Sequence, residues 1–207
     1  FLLQQSRSLD YFRETQACHQ WSPRRPQSLA GQTMTILGTG TIGSHIAEVA
    51  RAFGMETTGV SRSARPMAAF DHVYPMMEAM AAASGTQVLI NTLPSTALTR
   101  EVLSAPLLEV LASNATLFNL GRGDALCEAS LKAWLDSRPR SRAVLDVFRN
   151  EPLSADDWLW GHPRVRVTPH VAAVSFPEDV VTIFLDNLAH WRKSEPLRYV
   201  VDLQRGY

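Results

Sequence analysis

Two hydrophobic periods alternate along the chain. Between residues 41 and 53 the apolar positions Ile42, Ile46, Val49, Ala50 and Phe53 fall at i, i+4, i+7, i+8 and i+11, the spacing of one helical face. They predict a helix whose apolar stripe packs on a sheet. Short runs of β-branched and aliphatic residues at 33–37, 56–60, 87–91, 116–120, 143–147 and 165–168 read as strands. Between them, 76–83, 106–111 and 128–136 read as helices. Strands and helices in this rhythm pair in parallel, because parallel neighbours need a long crossover and right-handed crossovers place helices on both faces. The pattern predicts one α/β domain over residues 29–175.

The flanks differ from this centre. Residues 1–28 form a helical arm and linker: Leu2, Leu3, Leu9, Tyr11 and Phe12 lie among polar residues in a helical spacing, and Pro23 and Pro26 then break it. Residues 176–207 supply a last helix and tail, with Phe176, Val180, Val181, Phe184, Leu188 and Trp191 on one stripe and Pro177 in the first turn. Leu2, Leu9 and Phe12 of the arm, and the stripe of the last helix, are expected to need a partner. A composition of 45% apolar and 19% charged residues allows a packed core. Twenty basic residues balance twenty acidic ones, so no net field gathers nucleic acid or an anionic membrane. Cys18 and Cys127 have neither a zinc-site spacing nor a disulfide framework around them, so no metal is expected and a reducing, cytoplasmic setting is. No apolar run approaches the roughly 18 residues of a membrane helix. The chain opens on Phe1 as if within a helix, which predicts that the protein has residues upstream.

The segment Gly38, Thr39, Gly40, Thr41, Ile42, Gly43 directly follows one predicted strand and opens a predicted helix. In that setting the first glycine permits a tight turn, the second lets a pyrophosphate approach the backbone, and the third lets helix and strand pack closely. A dinucleotide site at Gly38, Gly40, Thr41, Ile42 and Gly43 is the expectation; the plainer alternative is a glycine-rich turn. An enzyme specific for NAD would carry an acidic residue at the end of the second strand to bind ribose hydroxyls. Here that strand ends in Ser61, Arg62, Ser63, with Arg65 close behind. Hydroxyls and guanidinium groups suit a 2′-phosphate, so NADP(H) is preferred and NAD(H) remains possible. Arg62 and Arg65 as solvated loop charges is the competing reading.

Arg122, Glu151 and His170 each follow the carboxyl end of a predicted strand, where ligands of open α/β sheets bind. They are the types that reduction of a 2-oxo acid needs. Arginine binds the carboxylate, histidine exchanges the hydroxyl proton, and a carboxylate orients the histidine and favours its cationic form. Singly, each has a plain alternative: a turn charge, an exposed acid before Pro152, a hydrogen-bonded core histidine.

In order along the chain, five blocks resemble the signatures of the D-isomer specific 2-hydroxyacid dehydrogenases. They are Gly38 to Gly43, then Leu93, Pro94, Ser95, Thr96 with Thr99, then Asn119, Leu120, Gly121, Arg122, Gly123, then Leu145 through Leu153, and finally Thr168, Pro169, His170. Ser61 and Arg62 after the second strand resemble the branch of that family that reduces glyoxylate and hydroxypyruvate. The resemblance implies an α/β, Rossmann-type doubly wound parallel sheet with flanking N- and C-terminal helices, a small 2-oxo or 2-hydroxy acid as substrate, and a homodimer. It implies that Arg122 orients substrate, His170 is the acid/base and Glu151 its partner. Asp146 would meet the nicotinamide carboxamide, and Leu93, Pro94, Thr99, Leu120 and Gly121 would line the cofactor. Cys127 stands where the family usually has a helix-capping Asp. Family members also carry roughly a hundred further residues that form most of a substrate domain. This chain is therefore expected to bind cofactor but to catalyse weakly alone, and the alternative is a dinucleotide-binding module or redox sensor without catalysis.

Overall fold

The computed structural model describes residues 1–173 and 175–202. Seven strands, β1 (Thr33–Leu37), β2 (Glu56–Ser61), β3 (His72–Pro75), β4 (Val88–Asn91), β5 (Thr116–Asn119), β6 (Arg142–Leu145) and β7 (Val165–Val167), form one sheet in the order β3-β2-β1-β4-β5-β6-β7. Every neighbouring pair is parallel. This is the doubly wound Rossmann-type topology. The chain winds outward from β1 through β3, then returns to β4 and winds the other way, so the switch point lies between β1 and β4.

The central strands β1, β4, β5 and β6 are buried on both faces, and successive side chains divide between them. Leu37, Val60, Leu89, Leu117 and Leu145 join Leu107, Leu108, Leu131 and Leu135 in one core cluster, which includes residues of α4 (Ala79–Ala83), α5 (Ala105–Glu109) and α6 (Glu128–Ser137). Ile36, Val88, Ile90, Phe118 and Val144 pack on the opposite face with Ala47 and Ala50 of α3 (Thr41–Ala52). Near-continuous apolar runs are what a sheet covered on both sides requires.

The predicted stripe on α3 holds in part: Ala50 is buried and Ile46 packs against the core, but the rest is corrected. The face against the sheet is Gly43, Ala47 and Ala50, whereas Ile42, Val49 and Phe53 are 51%, 45% and 45% exposed. Small residues face inward because the helix start lies against the strand: a Cβ on Gly43 would stand 2.0 Å from the Gly38 carbonyl oxygen. The third strand, β3, was not predicted. It is a four-residue edge strand, only partly buried and ending in Pro75, so it carries little hydrophobic signal. Between β6 and β7 lies a helical turn, α7 (Trp158–Gly161), whose N-cap Asp157 accepts from Leu159 N–H at 2.9 Å.

The arm is two short helices, α1 (Leu2–Ser6) and α2 (Leu9–Ala17), separated at Ser8, whose φ of 54° is left-handed. Leu2, expected exposed, packs against the α3-side core. Gln5 exchanges hydrogen bonds with Thr116 of β5, and Asp10 pairs with Arg166 of β7 at 2.6 Å, which ties the arm to the sheet. At the other end, α8 (Pro177–Arg192) leaves Val180, Val181, Phe184 and Trp191 exposed.

Cys127 occupies the N-cap of α6 in extended backbone geometry, and its side chain makes no capping bond. A carboxylate there would accept from the free N–H groups of the first turn and complement the helix dipole. Cys127→Asp is expected to raise stability by about 1 kcal/mol, read as a melting temperature higher by roughly 2–4 °C for a chain of this size. A lower melting temperature would contradict the capping argument.

Candidate active site

Three glycine positions shape the loop after β1. Gly38 has φ of +102°, a conformation that L side chains rarely adopt, and a Cβ on it would come within 2.6 Å of the Thr92 hydroxyl. Thr92 donates from its hydroxyl to the carbonyls of Leu37 and Gly38, pinning the turn to the loop after β4. Gly40 is the N-cap of α3 and makes no side-chain cap bond, and a Cβ there would meet nothing within 4 Å. The backbone at Gly40, Thr41, Ile42 and Gly43 is thus an uncapped helix start with an open approach. These residues fit a dinucleotide pyrophosphate, which free N–H groups and the positive helix end would hold.

Ser61 ends β2, with its hydroxyl accepting from Ala64 N–H at 3.2 Å, while Arg62, Ser63 and Arg65 are exposed just beyond. On the β4 side, Leu93 is buried and Pro94 half-buried. Thr99 is buried with its hydroxyl engaged inside the loop, donating to the Pro94 carbonyl at 2.6 Å and accepting from Thr96 N–H at 2.9 Å. Its hydroxyl holds the loop's shape. Leu120 N–H donates to the Asn91 carbonyl, and Gly121 lies so close to this loop that a Cβ would approach the Leu93 oxygen to 2.5 Å.

His170 and Glu151 meet. The His170 Nδ1 is 2.8 Å from Glu151 Oε2, and the other oxygen, Oε1, accepts from Phe148 N–H at 2.8 Å. These two bonds, the His170 bond first, hold the Glu151 carboxyl below its ordinary range. An imidazole whose Nδ1–H is given to a carboxylate presents Nε2 for proton exchange with a ligand. A cavity of about 500 Å³ adjoins the pair, lined by Phe148, Leu153, Trp160, Val167 and Pro169 as well as the two themselves.

Asp146 fixes where His170 stands. It is buried at the end of β6, and its carboxylate accepts from the Thr168 hydroxyl, from Val171 N–H at 3.0 Å and from Ala172 N–H at 2.9 Å. Its main-chain carbonyl accepts from His170 N–H at 2.8 Å. Burial pushes the Asp146 carboxyl up, but these donors and the nearby His170 outweigh it, and the group is held below the usual carboxylate range. His170 itself has φ of 54°. A left-handed histidine is uncommon, and Asp146 supplies the bonds that over-determine it. Asp146 is also the residue expected to meet the nicotinamide carboxamide, and its bonds to Val171 and Ala172 N–H keep its side chain beside His170.

Arg122 lies on the neighbouring loop, exposed, with Nη1 donating to the Gly121 carbonyl at 2.8 Å. It does not share the His170–Glu151 hydrogen bonds, but backbone connects them. A Cβ on the next residue, Gly123, would stand 1.9 Å from the carbonyl carbon of Phe148, whose N–H holds Glu151. Arg122, Glu151 and His170 therefore follow β5, β6 and β7 at one edge of the sheet. Sequence reasoning gave no role to Thr92, Thr168 or the buried pair Asn91 and Asn119. A polar residue ending an otherwise apolar strand was the signal available.

A parallel sheet with an open helix start at its switch point, and a histidine–carboxylate pair along the same edge, is the arrangement of a dinucleotide-binding domain. The chain belongs to the D-isomer specific 2-hydroxyacid dehydrogenase family: the model of that family's NAD binding domain matches residues 1–172. It is 35% identical over 201 residues to glyoxylate/hydroxypyruvate reductase A of Klebsiella pneumoniae subsp. pneumoniae, covering 97% of this chain and 64% of that protein. Among solved structures it resembles a D-isomer specific 2-hydroxyacid dehydrogenase family protein from Aeromonas salmonicida subsp. salmonicida, with a TM-score of 0.91, 42% identity and coverage of 97% and 65% of the two chains. It also resembles the NADPH-dependent glyoxylate/hydroxypyruvate reductase of Sinorhizobium meliloti in complex with NADP and sulfate, with a TM-score of 0.91, 32% identity and coverage of 100% and 66%. The chain spans just under two thirds of the length of the curated relatives it matches.

Proposed function

We propose that the protein reduces small 2-oxo acids of the glyoxylate and hydroxypyruvate type to D-2-hydroxy acids. The observation that carries this reading is the 2.8 Å contact between His170 Nδ1 and Glu151 Oε2, at the sheet edge that holds the open glycine loop. The cofactor, when bound, supplies the hydride that adds to the carbonyl carbon. His170, cationic and held by Glu151, gives its Nε2 proton to the carbonyl oxygen as charge develops there. Arg122 binds the carboxylate and turns the carbonyl toward His170. NADPH is the preferred cofactor, with NADH as the weaker one, because the residues after β2 are Ser61, Arg62, Ser63 and Arg65 and no carboxylate is among them. Relatives described with NADP or NADPH bound support the same preference.

A homodimer in the cytoplasm completes the proposal. Leu9 of the arm and Val180, Val181, Phe184 and Trp191 of α8 are exposed and offer apolar surface for a second copy, and no described helix is long and apolar enough to cross a membrane. The test is oxidation of NADPH, then NADH, in the presence of glyoxylate and of hydroxypyruvate, with the mass in solution taken by light scattering. Slow NADPH-dependent turnover, well below that of a full-length relative, and a mass of two chains are expected; no oxidation with either acid would refute the activity, and a monomer the assembly.

A further inference from the structure

At the ends of β4 and β5, Asn91 and Asn119 are register partners with 0% exposure. Each ends a strand directly after apolar residues, Leu89 and Ile90 in β4 and Leu117 and Phe118 in β5, where an unsatisfied carboxamide would be costly. They satisfy one another in a directed chain. Leu93 N–H donates to Asn91 Oδ1 at 3.2 Å, Asn91 Nδ2 donates to Asn119 Oδ1 at 2.9 Å, and Asn119 Nδ2 donates to the carbonyl of Arg122 at 3.1 Å. One end of the relay is the loop beside the glycine turn, and the other is the backbone of the arginine. The two loops are also in direct contact, since a Cβ on Gly121 would lie 2.9 Å from Asn91 Nδ2. A hydrophobic pair of the same volume would fill the space but could not hold the Arg122 carbonyl.

From this juxtaposition we infer that Asn91 and Asn119 are positioning residues: they fix the height of the Arg122 backbone against the Leu93 loop, and so set where the guanidinium meets a substrate carboxylate relative to the cofactor. The inference rests on the reading of Arg122 given under Proposed function. Direction matters in the relay. Asn119→Asp keeps the shape but turns the donor that faces the Arg122 carbonyl into an acceptor, so the loop is pushed away. Asn91→Asp removes the donor one link further back and allows Asn119 to turn over, a weaker disturbance of the same kind.

The experiment is a double-mutant cycle on glyoxylate reduction, with NADPH affinity measured separately by its fluorescence. Asn119→Asp is expected to raise the KM for glyoxylate about tenfold or more, the factor that accompanies loss of roughly 1.4 kcal/mol, while the Kd for NADPH stays within about twofold. In an Arg122→Ala background the same substitution is expected to change KM less than about twofold, because the group through which it acts is already gone. Equal effects in the two backgrounds, or a parallel loss of NADPH affinity, would mark a purely structural pair and overturn the inference. Should Asn119→Asp give no cooperative melting curve, Asn91→Asp is read by the same cycle, with a smaller KM increase in the same direction expected and wild-type kinetics counting against it. Turnover by the unsubstituted protein with variants equal to it overturns the positioning role alone. Absence of turnover in the unsubstituted protein overturns the function, and the inference with it.

Discussion

Replacing His170 by alanine is expected to lower kcat for glyoxylate reduction about 100-fold or more, the usual worth of a positioned general acid, while the Kd for NADPH stays within about twofold. The separation follows from where the imidazole is anchored. Its Nδ1 is bound to Glu151 and its main-chain N–H to the Asp146 carbonyl, both on the β6 and β7 side of the sheet, whereas the glycine loop follows β1. Truncation therefore removes the proton donor and leaves the helix start of α3 intact. Glu151→Gln is the companion: its amide oxygen still accepts from Nδ1, but no negative charge supports the imidazolium, so an intermediate fall in kcat is expected. Glu151 is held below its ordinary range by His170 and Phe148 N–H, and it stays ionised into mild acid. Since its folded value is the lower one, its contribution to stability is complete above the ordinary carboxylate range and disappears only as pH falls through the depressed value. Near-wild-type turnover in His170→Ala would remove His170 from the chemistry and require another proton donor.

The same region shows what a sequence can and cannot carry. Alternating apolar runs located six of the seven strands, because strands buried on both faces have few polar positions to blur the pattern. β3 escaped because an edge strand of four residues buries too little to need an apolar run. The helix after the glycine loop was legible as a helix, yet only Ile46 and Ala50 of its predicted stripe pack against the core. Periodicity weights Ile, Val and Phe above Gly and Ala, while the close approach of Gly43 to Gly38 admits only small side chains there. Site residues followed the same division. His170 and Glu151 could be paired from their types and their places after strands, since the chemistry itself demands both. Asp146, Asn91 and Asn119 act through hydrogen bonds to main-chain groups on other loops. Those partners are set by tertiary apposition and leave no spacing to read. The apolar positions of α8 were legible as a stripe, and that stripe faces outward among the described residues.

Gly43→Ala is expected to disrupt both the fold near β1 and cofactor binding, and its comparison with Gly40→Ala separates the two. A methyl at 43 would lie 2.0 Å from the Gly38 oxygen and 3.1 Å from the Gly38 carbonyl carbon. Both are backbone atoms that no rotamer change can move. Either α3 lifts from β1 or the Gly38 turn opens, and overpacking of this kind costs about 1–3 kcal/mol, read as a lower melting temperature. The same shift moves the N–H groups of Thr41 and Ile42 away from the position a pyrophosphate needs, so NADPH affinity is expected to fall about 100-fold, roughly 2.8 kcal/mol at 1.4 kcal/mol per decade. A methyl at 40 meets no protein atom within 4 Å, and the Gly40 φ of −74° suits any residue. Gly40→Ala should therefore lower the melting temperature by no more than the small cost of alanine at an N-cap while still weakening NADPH, because its Cβ occupies the approach of the ligand. Thermal melting and NADPH fluorescence titration of the two variants decide the matter. If Gly40→Ala binds NADPH normally, the pyrophosphate does not approach the helix start at that glycine, and the loop is a tight turn between two core elements.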